Sequence, residues 1–172
     1  VKDFSPISLV NTQPNVLVVH PSVPVKSVKE LIALAKARPG ELNYGAGSAG
    51  SAGHLATELF KHMAGVNIAW IPYKGSAPAV TALISGEVQL LTLDAGLLLP
   101  HAKSGKLRAL AVTSAEPSVL APGLPTVAAT GLPGYEATGM TGMWAPAKTP
   151  EAIVNRLNQE IMRVLNLPDV KE

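Results

Sequence analysis

The sequence predicts an α/β fold in which a mainly parallel sheet is flanked by helices on both faces. Strand-like apolar runs alternate with amphipathic helical patterns across roughly a hundred residues, with short links between them. The 172 residues are 47% hydrophobic and 15% charged, which indicates a globular chain with a core. Fifteen Pro and fifteen Gly are typical of many short connections.

The strands are predicted from β-branched and apolar runs that end at turn residues. The first run, "NVLVVHP", is closed by Pro21. The predicted strands lie near residues 15–19, 42–45, 67–72, 87–93 and 107–112. Because helical segments separate these runs, we expect the strands to be mainly parallel.

The helices are predicted from apolar periodicity and from residues that favour helix ends. Ser27 and Glu30 have the spacing of a capping box. At the last helix, Thr149 is expected to be the N-cap and Pro150 the first helical residue. The predicted helices are the segment after Ser27, residues 51–63, 76–86 and 151–165, and a short helix in "GLLLPHAKSG".

Composition argues against several classes of function. The net charge is +2 and aromatic residues make up 4% of the chain, so nucleic-acid binding has little support. The absence of Cys rules out thiolate catalysis and Cys-based zinc sites. No apolar run approaches the roughly 18 residues of a membrane-spanning helix. The opening residues Val1-Lys2-Asp3 read like the middle of a folded protein and not like a signal peptide.

The stretch "LNYGAGSAGSAGHLATELF" places a glycine-rich loop between a strand and a helix. Gly45, Gly47 and Gly50 match the G-x-G-x-x-G spacing of dinucleotide-binding loops. That site also needs an acidic residue at the end of the next strand, but the strand here ends "AWIPYKG" and has none. Because the glycine spacing matches while the acidic residue is missing, a nucleotide-dependent oxidoreductase using this loop is the alternative function and not the main one.

Other catalytic interpretations of the loop fit less well. No Gly-Lys-Ser/Thr follows the glycines, as a phosphate-binding Walker loop requires. A nucleophile elbow needs Gly two residues before its Ser, but Ser48 and Ser51 have Ala there. His54 has no nearby acidic partner in the sequence, so we interpret it as a residue of the first helical turn.

An anion site is the remaining chemical interpretation. Small residues allow a ligand to approach the backbone, and free N–H groups at a helix start favour negative charge. Ser48 and Ser51 can add hydroxyl donors, and Gly75-Ser76-Ala77 repeats the pattern at a second helix start. If only one such loop were present, its small residues could simply allow the helix to pack closely against the strand. Two matching loops at one sheet edge favour a carboxylate site.

Five motifs, the glycine-rich loop among them, resemble those of one protein family. They are "LNYGAGSAGSAGHLATELFKHMAGV", "IPYKGSAPAVTALISGEVQL", "LPHAKSGKLRALAVTS", "LPTVAATGLPGYEATG" and "APAKTPEAIVNRLNQEI". In this order, they resemble the substrate-binding proteins of tripartite tricarboxylate transporters, the Bug family. The resemblance runs almost from end to end of the chain and also includes "NVLVVHPSVPVKSVKELIALAK".

The resemblance implies a type II periplasmic-binding-protein-like lobe plus part of a second lobe. Residues 1–20 would be a crossover from the first lobe, 21–114 the second lobe, and 115–172 the return crossover with the C-terminal part of the first lobe. It further implies a periplasmic receptor that passes a small carboxylate to membrane transporter subunits. No catalysis and no cofactor are implied, and the full-length protein is expected to be a monomer.

The resemblance also implies a set of ligand-binding residues. The family's Gly/Ser loop corresponds to Ala46–Ser51, and its "PYKG" motif to Pro72–Gly75. Tyr73 could instead pack its ring, Lys74 could be solvated, and Asp94 could be a helix N-cap. The predicted ligand-binding residues are Gly47, Ser48, Ala49, Gly50, Ser51, Tyr73, Lys74, Gly75, Ser76 and Asp94.

Overall fold

A computed structural model describes residues 2–171. Among these residues, no helix is long and apolar enough to cross a membrane. The elements in chain order are β1 (Phe4–Val19), α1 (Val28–Ala37), β2 (Asn43–Ala46), α2 (Ala52–Ala64), β3 (Ala69–Pro72), α3 (Ser76–Ser85), β4 (Leu90–Asp94), α4 (Ala95–Lys103), β5 (Arg108–Val112), α5 (Val127–Thr130), β6 (Thr138–Pro146), α6 (Glu151–Leu165) and α7 (Pro168–Lys171).

The chain divides into two compact units. One contains Gln13–Gly139, and the other contains the residues up to Thr12 together with those from Met140 onward. In the smaller unit, the Asn158 side chain of α6 donates to the Ile7 carbonyl oxygen at 2.6 Å. The predicted lobe limits at residues 20/21 and 114/115 concern the longer protein and stay predictions.

The sheet is mixed, with strand order β3-β2-β4-β1-β5, and β6 pairs with β1. Strand β2 is parallel to both β3 and β4, whereas β1 is antiparallel to β4 and β5. Strands β2 to β5 therefore run in one direction and β1 runs against them. The predicted α/β class is confirmed, and β1 is the strand that departs from the parallel arrangement.

Helices cover both faces of the sheet, as predicted. The side chains of β1 alternate between the faces, because successive residues of a strand point to opposite sides. Leu17 and Val19 belong to an apolar cluster that α1, α2 and α5 cover. Val16 and Val18 belong to a second cluster, covered by α3 and α4. This two-sided burial explains why the run "NVLVV" has no polar face.

Some boundaries differ from the predictions. Strand β1 begins at Phe4, well before residue 15, and β6 was not predicted at all. Pro150, and not Thr149, is the N-cap of α6. The capping box is altered, because Ser27 accepts from the Glu30 N–H while the Glu30 carboxylate accepts from the Lys26 N–H.

Helix α2 lies very close to the sheet through its small residues. A Cβ placed on Gly53 would lie far inside the van der Waals distance of the Thr92 carbonyl oxygen of β4. One turn later, the buried Thr57 hydroxyl donates to the Gly53 carbonyl and lies 3.1 Å from the Thr92 hydroxyl. Leu55, on the opposite side of the helix, is 58% exposed.

We expect Gly53→Ala to lower the free energy of unfolding by about 1–3 kcal/mol, the usual range for overpacking. Helix propensity alone would favour Ala by about 1 kcal/mol, so steric conflict with the Thr92 carbonyl must outweigh it. Denaturant unfolding of the ligand-free protein measures the change.

Gly47→Ala is the matched control for this substitution. Its Cβ would meet the Gly75 backbone at 3.7 Å, an ordinary van der Waals contact, so little destabilisation is expected. Equal stability of the two variants would contradict the close approach of α2 to β4.

Candidate ligand-binding site

Three helix starts lie at one edge of the sheet. Strand β2 is parallel to β3 on one side and to β4 on the other. The chain passes from these strands into α2, α3 and α4 through the N-cap residues Ser51, Gly75 and Asp94. Because the three strands point the same way, their carboxyl ends and the three helix starts share one edge. The loop before α2 and the Gly75-Ser76-Ala77 segment therefore lie at the same edge of the sheet, as the sequence predicts.

The first two loops touch. A Cβ on Gly47 would lie 3.7 Å from the Gly75 Cα, so the two backbones pass each other with space for little more than a methyl group. Gly47 is buried there, whereas Ser48, Ala49 and Gly50 are exposed. We call residues 47–51 the glycine loop. It lies against the start of α3 and presents its tip to solvent.

The glycine loop contains a tight turn. The Ser51 N–H donates to the Ser48 carbonyl at 3.0 Å, and Gly50 has φ +81° at the third position of this turn. A positive φ at that position is typical of a type II turn and favours Gly. The Gly50 N–H donates to Nδ1 of His54 at 3.4 Å. Two of the N–H groups that we expected to be open to an anion therefore have acceptors within the protein.

The three helix starts differ in their caps. At the start of α4, the Asp94 carboxylate accepts from the Gly96 N–H at 2.6 Å, which confirms the N-cap interpretation of Asp94. At α2 and α3, neither Ser51 nor Gly75 makes a side-chain capping hydrogen bond. The first-turn N–H groups of a helix have no intrahelical acceptor. The α2 and α3 starts thus lack the side-chain cap that α4 has.

Ser51 has a second unusual feature. Its Oγ atom is buried but has no hydrogen-bond partner among the residues that the structure describes. A buried hydroxyl without a partner is unfavourable, by about 1–3 kcal/mol in mutational data. The helix start at α2 therefore has both an uncapped first turn and a serine hydroxyl without an acceptor in the described part of the chain.

Tyr73 and Lys74 lie in different environments. The Tyr73 ring packs over Gly45, where a Cβ would come within 3.3 Å of its Cε2 atom. Burial, followed by the nearby Glu87 carboxylate, raises the pKa of Tyr73. Lys74 is exposed. The ring thus supports the strand beneath the loops, and the lysine is in solvent beside Gly75.

An aromatic cluster beside the glycine loop was not anticipated from the sequence. The His54 ring lies 4.3 Å from the Trp70 ring and 6.3 Å from the Tyr44 ring, measured between centroids. The sequence predicts only that His54 lies in the first turn of the helix, without a partner. Its neighbours are on β2 and β3, so only the strand pairing reveals them.

Charged groups on α2 anchor this cluster. The Tyr44 hydroxyl donates to the Glu58 carboxylate at 2.7 Å, and Lys61 pairs with the same carboxylate. Burial raises the pKa of Tyr44, and the Glu58 carboxylate raises it further. Burial opposes ionisation of Glu58, but hydrogen bonds from Lys61 and Tyr44 outweigh it and lower the pKa of Glu58. The ionised Glu58 therefore stabilises the fold above its unfolded pKa, and this contribution is lost as pH falls through the folded pKa.

Within residues 2–171, no group of three His, Cys, Asp or Glu side chains could hold a metal ion. The chemistry at this edge consists of backbone N–H groups, small hydroxyls, the exposed Lys74 ammonium and the Asp94 carboxylate, which is bonded to the start of α4. The N–H, hydroxyl and ammonium groups can bind an anion.

Comparison with known proteins identifies the family of this chain. The family model of the tripartite tricarboxylate transporter family receptor matches residues 1–172. Protein BugT of Bordetella pertussis is 40% identical over 172 residues, which cover 100% of this chain and 53% of BugT. The chain spans about half the length of the curated relatives it matches.

Two solved structures are similar over nearly the whole chain. One is R. palustris Rpa4515 with adipate, with a TM-score of 0.89 and 43% identity over 98% of this chain and 56% of that one. The other is periplasmic binding protein BugD, with a TM-score of 0.87 and 33% identity over 98% of this chain and 56% of that one. These similarities confirm the predicted periplasmic-binding-protein-like fold.

We expect Ser51→Ala to leave the free energy of unfolding unchanged or slightly increased. Replacing a capping Ser by Ala usually costs about 0.5–2 kcal/mol, but the Ser51 side chain makes no capping bond. Thermal or denaturant unfolding of the ligand-free protein tests this expectation.

Thr126→Ala at the start of α5 provides the control, because the Thr126 hydroxyl accepts from the Ala129 N–H at 3.0 Å. That variant should lose stability. A loss of 1 kcal/mol or more for Ser51→Ala would show that its hydroxyl stabilises the ligand-free protein.

Proposed function

Because the chain belongs to the tripartite tricarboxylate transporter receptor family, we propose that it forms the carboxylate-binding part of an extracytoplasmic solute receptor. The ligand is a di- or tricarboxylate, an acidic amino acid or a related acid. The observation that carries this proposal is the contact of Gly47, in the loop that leads into α2, with Gly75 at the start of α3, since neither helix has a side-chain cap.

The proposed site binds one carboxylate through the backbone. N–H groups at the starts of α2 and α3 point towards the shared edge, and the hydroxyls of Ser48, Ser51 and Ser76 add donors. Each hydrogen bond to a charged group is worth about 1.5–3 kcal/mol, and a helix start adds about 0.3–1 kcal/mol. When the cost of association is subtracted, these contributions give a binding free energy of about −8 kcal/mol, which corresponds to micromolar affinity.

The remaining predicted residues have supporting roles in this proposal. Gly47, Ala49, Gly50 and Gly75 keep the backbone accessible. The Tyr73 ring packs against Gly45 of β2, the strand that leads into the glycine loop. The Lys74 ammonium adds an exposed, salt-screened attraction. Asp94 neutralises the start of α4 and directs an anion to the two other helix starts.

The wider function follows from the family. We propose that the complete protein has two lobes with the ligand between them, is periplasmic and acts as a monomer. It would deliver its ligand to the membrane subunits of a tripartite tricarboxylate transporter. Adipate in a structure that is 43% identical to this chain favours a dicarboxylate among the candidate ligands.

Calorimetric titration of the ligand-free, full-length protein tests the proposed function. We expect at least one acid among adipate, malate, citrate and glutamate to bind with about micromolar affinity. A folded protein that binds none of these acids, and no aromatic acid, would contradict the proposal.

Gly50→Val should weaken binding of that acid by at least tenfold, about 1.4 kcal/mol. A β-branched residue resists the positive φ of Gly50, so the turn that presents the glycine loop must change. Titration of the variant alongside the unmodified protein measures the loss.

Gly134→Val is the matched control. Gly134 also has φ +81°, and its turn is closed by a 3.0 Å hydrogen bond from the Tyr135 N–H to the Leu132 carbonyl. A Cβ at either glycine would meet no atom within 4 Å. The control should be strained to a similar extent yet bind normally. Wild-type affinity in a folded Gly50→Val protein would mean that the glycine loop only packs.

A further inference from the structure

His54 joins the glycine loop to the sheet. Its Nδ1 atom accepts a hydrogen bond from the Gly50 N–H at 3.4 Å. Because a backbone N–H can only donate, Nδ1 must have its lone pair free, and the proton of the neutral ring lies on Nε2. The bond directs the Gly50 N–H towards α2 and away from the ligand side of the loop.

Two strands hold the His54 ring in place. Trp70 of β3 lies 4.3 Å from it at an interplanar angle of 59°, and Tyr44 of β2 lies 6.3 Å away. Tyr44 is fully buried and is itself hydrogen-bonded to Glu58. His54 is half-buried, so ring rotation would lose the contact with Trp70. The imidazole therefore has little freedom to release Gly50.

The glycine loop has few other restraints. Its residues are Gly, Ser and Ala, whose side chains offer little packing area. Its internal hydrogen bond runs from the Ser51 N–H to the Ser48 carbonyl. The His54 side chain adds a hydrogen bond to the backbone of this loop, at Gly50. The bond to His54 thus restrains the orientation of the loop relative to α2.

We propose that His54 is a positioning residue for carboxylate binding. It acts through Gly50, by fixing the corner of the glycine loop so that the N–H groups at the start of α2 face the ligand. This inference rests on the proposed function, namely that the glycine loop binds a carboxylate. It adds a determinant of affinity that need not touch the ligand.

Two variants of the full-length protein separate the acceptor from the ring. His54→Phe retains an aromatic ring against Trp70 but has no acceptor. His54→Asn loses the ring, but its side-chain oxygen can take the position of Nδ1, because both are δ atoms attached to Cγ. Each variant is titrated with adipate and malate, and amide exchange at Gly50 is followed by NMR without ligand.

For His54→Phe, we expect near-normal thermal stability, about tenfold faster exchange at Gly50 and about three- to tenfold weaker binding. His54→Asn should be less stable but should retain both slow exchange at Gly50 and an affinity closer to that of the unmodified protein. A purely structural role would instead make affinity follow thermal stability in both variants.

The result that overturns the inference is normal binding by His54→Phe, or unchanged exchange at Gly50 in that variant. Failure of the proposed function looks different, because the unmodified protein would then bind neither adipate nor malate. That outcome would overturn both proposals, whereas binding by the unmodified protein and His54→Phe alike would overturn this one alone.

Discussion

The close approach of α2 to the end of β4 is the constraint on which the site depends. Gly53 allows the helix to lie against the Thr92 carbonyl, and the buried hydroxyls of Thr57 and Thr92 meet one turn later. A side chain at position 53 would move the helix start away from the sheet edge. The first-turn N–H groups of α2 would move with the helix, away from the position in which we propose that they bind an anion.

The glycine spacing that resembles a dinucleotide fingerprint has a different origin here. Gly45 accommodates the Tyr73 ring, and Gly50 provides the positive φ of a tight turn. Gly45 and Gly50 are therefore required for two separate local reasons. A pyrophosphate is not needed to explain the spacing, and the strand that follows has no acid for a ribose.

Local patterns predicted much of the fold. Apolar runs and capping residues were sufficient to locate α2 and α3 and to place their starts at one sheet edge. The direction of β1 and the existence of β6 were not predicted, because both depend on pairing between segments distant in sequence. Alternation of strands and helices does not determine the direction of each strand.

The candidate site was predicted as a set of residues but not as a set of contacts. Ser51 and Asp94 both precede helices and both are good capping residues, yet only the Asp94 side chain caps its own helix. Residue type alone therefore does not determine whether a side chain caps the helix that follows it. His54 was missed as a structural link for a related reason, since its contact with Trp70 depends on the pairing of β2 with β3.

The most direct test of this account is an amide NMR titration of the full-length protein with adipate. Three helix starts share the edge, and we propose that the ligand binds at the two that lack side-chain caps, those of α2 and α3. The N–H signals of Ala52, Gly53 and Ala77 should shift downfield on saturation, while that of Gly96, already bonded to Asp94, should change little. Saturable binding that shifts Gly96 and leaves Ala52, Gly53 and Ala77 unchanged would contradict the account.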